Sequence, residues 1–318
     1  MKQPVIAFSV GAVALVVLLV AAPFAAGGYE TNVLLQALLY TMLTVSLNLV
    51  AGYAGQFSFS HGAFYGIGAY TTAIMGRDLG TGFWINLPAG IVVAGLFGLL
   101  LGIPALRLKG HFLAIVTIAF QSIVYLTLTQ WVSVTGGQNG IAVPHIGAVG
   151  FGGHTLLGIT TLRGYYWLAL VMTAIVLFVS WRLVRSRIGR EWIAVRDDET
   201  LAGAVGLDTM RAKLLAFVIS AAMAGAAGVL SAHVMQGVTP DDFTIWISCS
   251  VVAMMVVGGR GTFVGPVLGA LLLTLLPEFL GGLAQYKMLI FGVLLVLAIT
   301  LVPEGIVGRV RQRRGGAR

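Results

Sequence analysis

Long, nearly uncharged apolar segments recur along the whole chain and constrain its fold more than any other feature. Of the 318 residues, 58% are hydrophobic and only 9% are charged. A helix of about 20 apolar residues is long enough to cross the hydrocarbon core of a bilayer. These segments are too long and too uniformly apolar for the strands of a membrane β-barrel. The sequence therefore predicts an all-α, polytopic membrane protein.

Ten segments approach this length and composition, which predicts about ten transmembrane helices. They are Val5–Ala26, Val33–Val50, His61–Met75, Ile85–Leu106, Phe112–Trp131, Tyr166–Val184, Leu214–His233, Phe243–Val257, Val264–Leu280 and Met288–Val302. Residues 1–318 are thereby treated as a single transmembrane domain. The first segment has a second interpretation, because Lys2, the apolar run and the small residues of Ala21–Ala26 also fit a cleavable signal peptide.

Basic residues predict the orientation, because lysine and arginine near the ends of spans are retained in the cytoplasm. Ten helices that start inside leave Arg77, Arg163 and Lys287 on the outer side. The cytoplasmic side then receives Lys2, Arg107, Lys109, Arg182–Lys213, Arg260 and the basic tail at 303–318. Both termini are therefore predicted in the cytoplasm. The net charge of +8 sets this topology, so we expect a lipid bilayer around the chain and no nucleic-acid partner.

The stretch Arg182–Lys213, here called the charged segment, holds twelve of the chain's thirty charged side chains. Within it, Ile188, Trp192 and Val195 recur at helical spacing, which predicts a first short helix over Ile188–Val195. A compact helical projection on the cytoplasmic side is suited to docking a soluble partner. The alternative is a solvated loop whose basic residues only fix the topology.

A second short helix is predicted directly after the first. The side chain of Asp197 or Asp198 can cap it by accepting hydrogen bonds from free backbone amides. Gly206 can end it, because glycine adopts the left-handed closing conformation without steric cost. The consecutive acids at 197–199 contribute little to membrane orientation, which argues against a purely topological role for the charged segment.

No carboxylate lies near the middle of a predicted span, and no phosphate-binding loop for nucleotides occurs in the sequence. Glu30, Glu278 and Glu304 lie at the edges of predicted spans, so no carboxylate is available in mid-membrane for proton coupling. The chain also has no G-x-x-x-x-G-K-S/T phosphate-binding loop. If ATP drives transport, a separate subunit must hydrolyse it. We expect no catalytic residue, no cofactor and no metal, since His145 and His154 are too few ligands for a metal site.

Glycines and polar residues crowd together where the second predicted span meets the third. Glycines in such a region let helices break or approach closely, and a broken helix at membrane depth lies beside a cavity or inside the protein. The polar side chains around the break are predicted to border the translocation pathway. They are Asn48, Gln56, Ser58, Ser60 and His61. The alternative is that they only hold helices together.

The loop at 132–164 is the longest predicted connection on the outer side. Its glycine-rich start, at 135–140, has the composition of tight turns. We predict a gate, or a surface that receives a binding protein from outside, formed by Thr135, Gly136, Gly137 and Asn139. The alternative is a plain surface connection.

Several of these segments together resemble one known family. The run Gly189–Glu199, followed by Ala202 and Gly206, resembles the cytoplasmic loop of LivM-type permeases, the membrane subunits of ABC importers for branched-chain amino acids. Glu199, Ala202 and Gly206 approximate the E-A-A-x-x-x-G coupling motif of importer permeases, with Leu201 where that motif has a small residue. Four further segments agree with the family, namely 47–56, 61–70, 135–140 and 258–266.

The resemblance implies a permease domain in a bacterial plasma (inner) membrane, with a coupling loop at 185–213. It implies a second, related permease subunit, cytoplasmic ATP-binding subunits, a periplasmic or extracellular substrate-binding protein and a small amino-acid substrate. The residues expected to couple transport to the ATPase are Arg190, Arg196, Asp197, Asp198, Glu199, Ala202 and Gly206. Urea or a short amide is an alternative cargo for this kind of permease. A self-contained secondary transporter or channel for small neutral solutes is the alternative class.

Overall fold

The computed structural model describes residues 27–108, 110–147, 150–151, 154–155, 159–279 and 292. The predicted span Val5–Ala26 and the basic tail at 303–318 lie outside the described residues, as does all of the predicted span Met288–Val302 except residue 292. The described part of the chain is mostly helical, in agreement with the predicted fold class. In it, six helices are long and apolar enough to cross a membrane, so the predicted count of about ten is not confirmed.

The described helices are numbered α1 to α11 in chain order. They are α1 Gly28–Leu47, α2 His61–Leu79, α3 Phe83–Ala105, α4 His111–Gln130, α5 Val132–Thr135, α6 Leu162–Arg185, α7 Arg187–Asp197, α8 Glu199–Ala204, α9 Thr209–Met235, α10 Ile245–Gly258 and α11 Gly265–Phe279. A π-helical turn, Asn48–Tyr53, extends α1, and 3-10 turns lie at Gly137–Asn139 and Pro240–Phe243.

Two pairs of short strands lie in the connections between helices. One pair joins the connection before α6 to the connection after α9. Strand β1, Ile141–Ala142, pairs antiparallel with β4, Gly237–Val238. Strands β2, Gly150–Phe151, and β3, His154–Thr155, form a second antiparallel pair. We call the end of the molecule that carries β1 the β1 end. The opposite end, which carries the π-helical turn and the two short helices of the charged segment, is called the α7 end.

The six candidate spans are Gly28–Tyr53, Phe83–Ala105, His111–Gln130, Leu162–Arg185, Thr209–Met235 and Pro240–Gly258. The segments predicted as spans at His61–Met75 and Val264–Leu280 also form helices, α2 and α11. The described apolar part of α11 is shorter than a span. Helix α2 is long enough, but it is not among the helices apolar enough to cross a membrane, and it includes His61, Arg77 and Asp78. Most side chains of α2 are buried inside the protein rather than placed at its surface.

Helix α9 lies at the centre and packs closely against α2 and α3. Gly68 of α2 faces the backbone of Gly225 in α9, and a side chain on Gly228 would collide with the carbonyl oxygen of Tyr65. Small residues at such crossings let helix backbones approach closely, which is the usual basis of helix association in membranes. The small residues of α9 therefore determine how closely α2 can lie against it.

The outer faces of α3, α4 and α6 are apolar and exposed. Leu100 is 65% exposed, Ile115 61% and Phe178 62%, and neighbouring aliphatic side chains share these faces. Such faces are stable when hydrocarbon surrounds them, whereas water would not solvate them. Together with the six long apolar helices, they describe a multi-pass membrane protein.

The charged segment forms two short helices, as the sequence predicts. Ser186 is the N-cap of α7, and its hydroxyl accepts a hydrogen bond from the Gly189 amide. Asp198 is the N-cap of α8. The Asp198 carboxylate accepts from the amides of Thr200 and Leu201, both at 2.9 Å. Asp198, and not Asp197, is therefore the cap. Gly206 follows α8 with φ of +87°, which confirms its predicted closing role.

Candidate functional site

Helix α7 is anchored to the first turn of α9. Trp192 is fully buried, and its Nε1 donates a 2.9 Å hydrogen bond to the carbonyl oxygen of Ala212. Val195, one helical turn further along α7, is also buried. A buried tryptophan with a satisfied N–H holds a helix firmly in one orientation. The apolar face predicted for Ile188–Val195 is therefore the attachment face of α7.

Helix α8 is joined to α9 by a partly buried ion pair. Lys213 Nζ lies 2.6 Å from Glu199 Oε1, with the lysine side chain 4% exposed and the glutamate 34% exposed. A buried ammonium group needs such a partner, because removing it from water is costly. Sequence reasoning placed Glu199 among the coupling residues without finding Lys213 as its partner. The pairing depends on the fold of the segment, since the two residues lie on different helices.

The opposite face of α8 is exposed and apolar. Ala202 is buried, while Leu201 is 63% exposed and Val205 is 72% exposed. Arg190, Asp197 and Asp198 are also exposed on the same segment. The sequence analysis did not name Leu201 and Val205 as site residues. They are four residues apart, and this spacing predicts that both lie on one side of a helix. The exposed side of α8 therefore presents two aliphatic side chains among charged ones.

Arg196 joins the charged segment to the π-helical turn. Its Nη1 donates a 3.0 Å hydrogen bond to the carbonyl oxygen of Gly52 in the π-helical turn. Its remaining donors reach the neighbouring Asp197. The Arg196 side chain also passes close to Gly55, where an added methyl group would lie 2.8 Å from Arg196 Cγ. Gly55 also has φ of +72°. Glycine therefore suits this position because of both the close approach of Arg196 and the backbone conformation.

Asn48 joins the π-helical turn to the connection between α10 and α11. Its Oδ1 accepts a 2.8 Å hydrogen bond from the Gly261 amide, and its Nδ2 donates at 2.8 Å to the Thr262 carbonyl oxygen. The side chain is buried, and both ends of its amide are occupied by backbone groups. Two of the segments that resemble the family, 47–56 and 258–266, are thereby in direct contact.

The remaining predicted pathway residues lie next to the start of α2. Ser58 and Ser60 are buried and hydrogen-bond each other at 2.8 Å. His61 is buried, and its Nε2 lies 2.8 Å from the hydroxyl of Ser220 in α9. The Gly62 amide donates to Ser248 of α10 at 2.8 Å. These contacts tie α2 to α9 and α10 through polar groups in the interior.

Two cavities are lined in part by residues that flank this polar region in the sequence. The first, of about 470 Å³, is at the α7 end and is lined by Gln56, Phe59, His111, Glu199 and Lys213, among others. The second, of about 260 Å³, is nearer the β1 end. Its lining includes Gln36, Tyr40, Tyr65, Ser231, Asp241 and Asp242 together with the apolar Leu39, Met235, Phe243 and Ile247. In the sequence, Ser60 and His61 lie between Phe59, which lines the first cavity, and Tyr65, which lines the second.

The two carboxylates of the second cavity were not among the predicted site residues. Asp242 caps the 3-10 turn by accepting from the amide and hydroxyl of Thr239. Asp241 Oδ1 accepts a 2.9 Å hydrogen bond from the Tyr125 hydroxyl. The candidate span Pro240–Gly258 includes both acids at its start, whereas the predicted span began at Phe243. An Asp-Asp pair directly before an apolar run was the available signal.

The predicted gating residues form a tightly held turn at the β1 end. Thr135 is buried, and its hydroxyl donates to the Leu128 carbonyl oxygen at 2.7 Å and accepts from the Gly137 amide. Gly136 and Gly137 both have positive φ values, which glycine adopts without strain. Asn139 ends the 3-10 turn that precedes β1, and β1 pairs with β4 next to the second cavity.

Among the residues that the structure describes, no group of three or more His, Cys, Asp or Glu side chains is arranged to hold a metal ion. The site is thus built from backbone groups, hydroxyls, amides and a few charges. Its parts are a docked helical segment, a polar interior and two cavities.

Comparisons with known proteins identify the family. The family described as "Branched-chain amino acid transport system / permease component" matches residues 29–299. The chain is 38% identical over 317 residues to the high-affinity branched-chain amino acid transport system permease protein LivM of Escherichia coli, covering 94% of this chain and 75% of that one. It is 29% identical over 291 residues to the permease protein LivH of the same system, covering 85% and 91%.

A third relative is the permease protein BraD of Pseudomonas aeruginosa, 29% identical over 286 residues, with 85% of this chain and 92% of that one covered. No solved structure matches the chain. The family match extends from the start of α1 past the last described helix, so it covers every part of the site. The chain belongs to the family of permease components of branched-chain amino acid transport systems.

Proposed function

We propose that this permease imports branched-chain amino acids as one of two related membrane subunits, with ATP hydrolysed by separate cytoplasmic subunits. The relatives LivM and LivH are both named as permease proteins of branched-chain amino acid transport, which supports a pair of related permeases. The observation that carries the ATP-driven mechanism is the docked α7–α8 projection with its exposed aliphatic pair, Leu201 and Val205. It offers a surface to a partner while its other face is anchored to α9.

We place the α7 end in the cytoplasm and the β1 end outside. Arg107, Arg260 and the charged segment lie at the α7 end, whereas Arg77 and Arg163 lie near the β1 end, and lysine and arginine are retained inside. The proposal includes about ten spans, cytoplasmic N- and C-termini and a single permease domain over 1–318. Within that domain, 185–213 is the coupling loop, 132–164 is the outer loop and 303–318 is a cytoplasmic tail.

The coupling residues divide by the surface they occupy. Arg190, Asp197 and Asp198 are exposed on the same segment as the Leu201–Val205 pair, so we assign them to the docking surface for the ATPase. The other three residues hold α8 in place. Glu199 forms the ion pair with Lys213, Ala202 is buried, and Gly206 reverses the chain after the helix. Rigid attachment at one face and exposure at the other would let a partner's movement displace the whole projection.

The translocation pathway is proposed to pass from the second cavity, through the polar region at Ser58, Ser60 and His61, to the first cavity beside Gln56. The second cavity combines carboxylates and hydroxyls with aliphatic and aromatic side chains. This mixture suits an aliphatic amino acid, whose ammonium group needs an acceptor and whose side chain needs an apolar surface. Asn48, the remaining predicted pathway residue, lies against the α10–α11 connection and would border the inner end of the route.

The outer turn at Thr135, Gly136, Gly137 and Asn139 is proposed as the gate region that receives the substrate-binding protein. It is continuous with β1, and β1 pairs with β4 at the rim of the second cavity. Displacement of this turn by a docked binding protein would therefore be transmitted to the cavity entrance.

The proposal is tested by reconstitution. The chain is co-expressed with a related permease, the ATP-binding subunits and the binding protein, and the complex is purified through a tag on this chain. We expect the ATPase to co-purify and vesicles to take up leucine only with ATP inside. Uptake of leucine by this chain alone, without ATP, would indicate a secondary transporter or channel. ATP-dependent uptake of urea or a short amide in place of leucine would replace the proposed cargo.

A further inference from the structure

Arg196 belongs to the segment proposed to dock the ATPase, yet one end of its guanidinium is directed into the protein. Nη1 donates to the Gly52 carbonyl oxygen at 3.0 Å. An added methyl group on Gly261 would lie 2.9 Å from Arg196 Nη1 and 3.0 Å from that same carbonyl oxygen. Arg196, Gly52 and Gly261 are therefore mutual neighbours, although they are far apart in the sequence.

The π-helical turn leaves the Gly52 carbonyl available for this contact. In a continuing α-helix the Gln56 amide would donate to Gly52, but here it donates to Val50 at 2.9 Å. Carbonyl groups at a helix end need other partners, and a charged donor provides a stronger bond than a neutral one. The break at the end of α1 and the guanidinium of Arg196 are thus complementary.

Asn48 extends the contact to a third element. Its side-chain amide bridges the Gly261 amide and the Thr262 carbonyl oxygen, both at 2.8 Å, and so holds the α10–α11 connection against α1. Helices α7 and α8 are held against α9 separately, by the hydrogen bond from Trp192 to Ala212 and by the Glu199–Lys213 ion pair. Arg196 links the charged segment to the junction of α1 with α10 and α11.

We infer that Arg196 is a positioning residue that transmits movement of the docked α7–α8 projection to the inner ends of α1, α10 and α11. Asn48 serves in the same junction as the link to the α10–α11 connection. The inference rests on the proposed function, since it needs an ATPase that moves the projection. It assigns Arg196 to the transport side of the coupling loop, while Arg190 and the Leu201–Val205 pair remain on the ATPase side.

The test measures leucine uptake and ATP hydrolysis in the same vesicles containing the complete complex. In the Arg196→Ala variant we expect the solute imported per ATP to fall about tenfold, the effect of losing a hydrogen bond from a charged donor. Arg196→Lys keeps one donor and should recover most of the loss. Arg187→Ala is the matched control, because Arg187 lies on the same helix with its side chain 87% exposed. It should leave the ratio unchanged.

Two further variants change the junction without substituting a residue of the charged segment. Asn48→Ala removes the link to the α10–α11 connection, and Gly261→Ala places a methyl group against Arg196 and Gly52 at a backbone position with φ of +69°. Each should lower the same ratio. If Arg196 and Asn48 act through one junction, the double variant should be no worse than the more severe single variant, because coupled residues are not additive.

The outcomes separate the inference from the function on which it rests. A wild-type complex that lacks an ATPase, or that imports no solute, overturns the proposed function and with it the inference. An active wild-type complex whose Arg196→Ala variant imports within about twofold of the normal solute per ATP overturns the inference alone. If Arg196→Ala does not assemble, the Asn48→Ala variant decides, and a normal ratio in that variant overturns the inference.

Discussion

Lys213 Nζ lies 2.6 Å from Glu199 Oε1, and this contact closes the base of α8 onto the first turn of α9. The lysine side chain is almost completely buried, and the glutamate is its ion-pair partner. The pair connects a surface proposed to meet the ATPase with the central helix of the permease. Loss of the pair should therefore lower the local stability of α8, and it also changes the lining of the first cavity, to which both residues belong.

We predict that Glu199→Ala destabilises the packing of α8 by about 3 kcal/mol, since it leaves a buried ammonium group without a partner. Hydrogen exchange at the amides of 199–206 measures the effect. The double variant Glu199→Ala, Lys213→Met should recover much of the protection, because it removes the unpaired charge. Glu191→Ala is the control, since its partner Arg187 is highly exposed and such surface pairs contribute little. Equal exchange in Glu199→Ala and the wild type would contradict the prediction.

Gly206→Val should strain the chain reversal after α8 by about 1–2 kcal/mol, because the residue has φ of +87° and a branched side chain opposes that conformation. An added Cβ at Gly206 meets no atom within 4 Å, so the effect comes from the backbone alone. Uptake per ATP in the reconstituted complex should fall while membrane insertion is retained. Gly203→Ala is the matched control, since Gly203 is helical and its added methyl group also meets open space. Transport at the normal rate by Gly206→Val would show that the reversal is dispensable.

Cysteine substitution distinguishes the predicted pathway residues by their burial. In a Cys249→Ala background, Gln56→Cys should react with a small polar thiol reagent in the resting complex, because Gln56 lines the first cavity. Cysteine at Ser58, Ser60 or His61 should react only during turnover, since these side chains are buried at rest. Added leucine should alter the labelling at all four positions. Labelling of Ser58→Cys that ignores both ATP and leucine would place the pathway elsewhere.

Asp241→Asn tests whether the second cavity receives the ammonium group of the solute. The change keeps an acceptor for the Tyr125 hydroxyl but removes the negative charge. We expect the KM for uptake to rise about tenfold with little change in the maximal rate, as when a charged hydrogen bond to substrate is lost. Asp78→Asn is the control, because Asp78 is an exposed carboxylate that pairs with the adjacent Arg77. An unchanged KM in Asp241→Asn would remove the carboxylate from substrate binding.

Local signals were sufficient for the charged segment. The spacing of Trp192 and Val195 predicted which face of α7 is buried, and Gly206 marked the end of α8, because both depend on interactions within a few residues. The choice between Asp197 and Asp198 as the cap needed the structure. Both side chains can accept amide hydrogen bonds, and the backbone conformation of Asp198 decides between them.

By itself, the sequence determined the helical membrane class, the position of most long helices and the existence of a helical projection, since composition and periodicity act locally. Tertiary structure alone decided that Asn48 and Gly261 are hydrogen-bonded, that Arg196 is directed to Gly52, and that Lys213 pairs with Glu199. These contacts join segments separated by up to 213 residues, or helices whose relative orientation local patterns do not specify. The close approach of α2 to α9 at Gly68 and Gly225 belongs to the same class, because the small size of a residue predicts a possible crossing but not its partner.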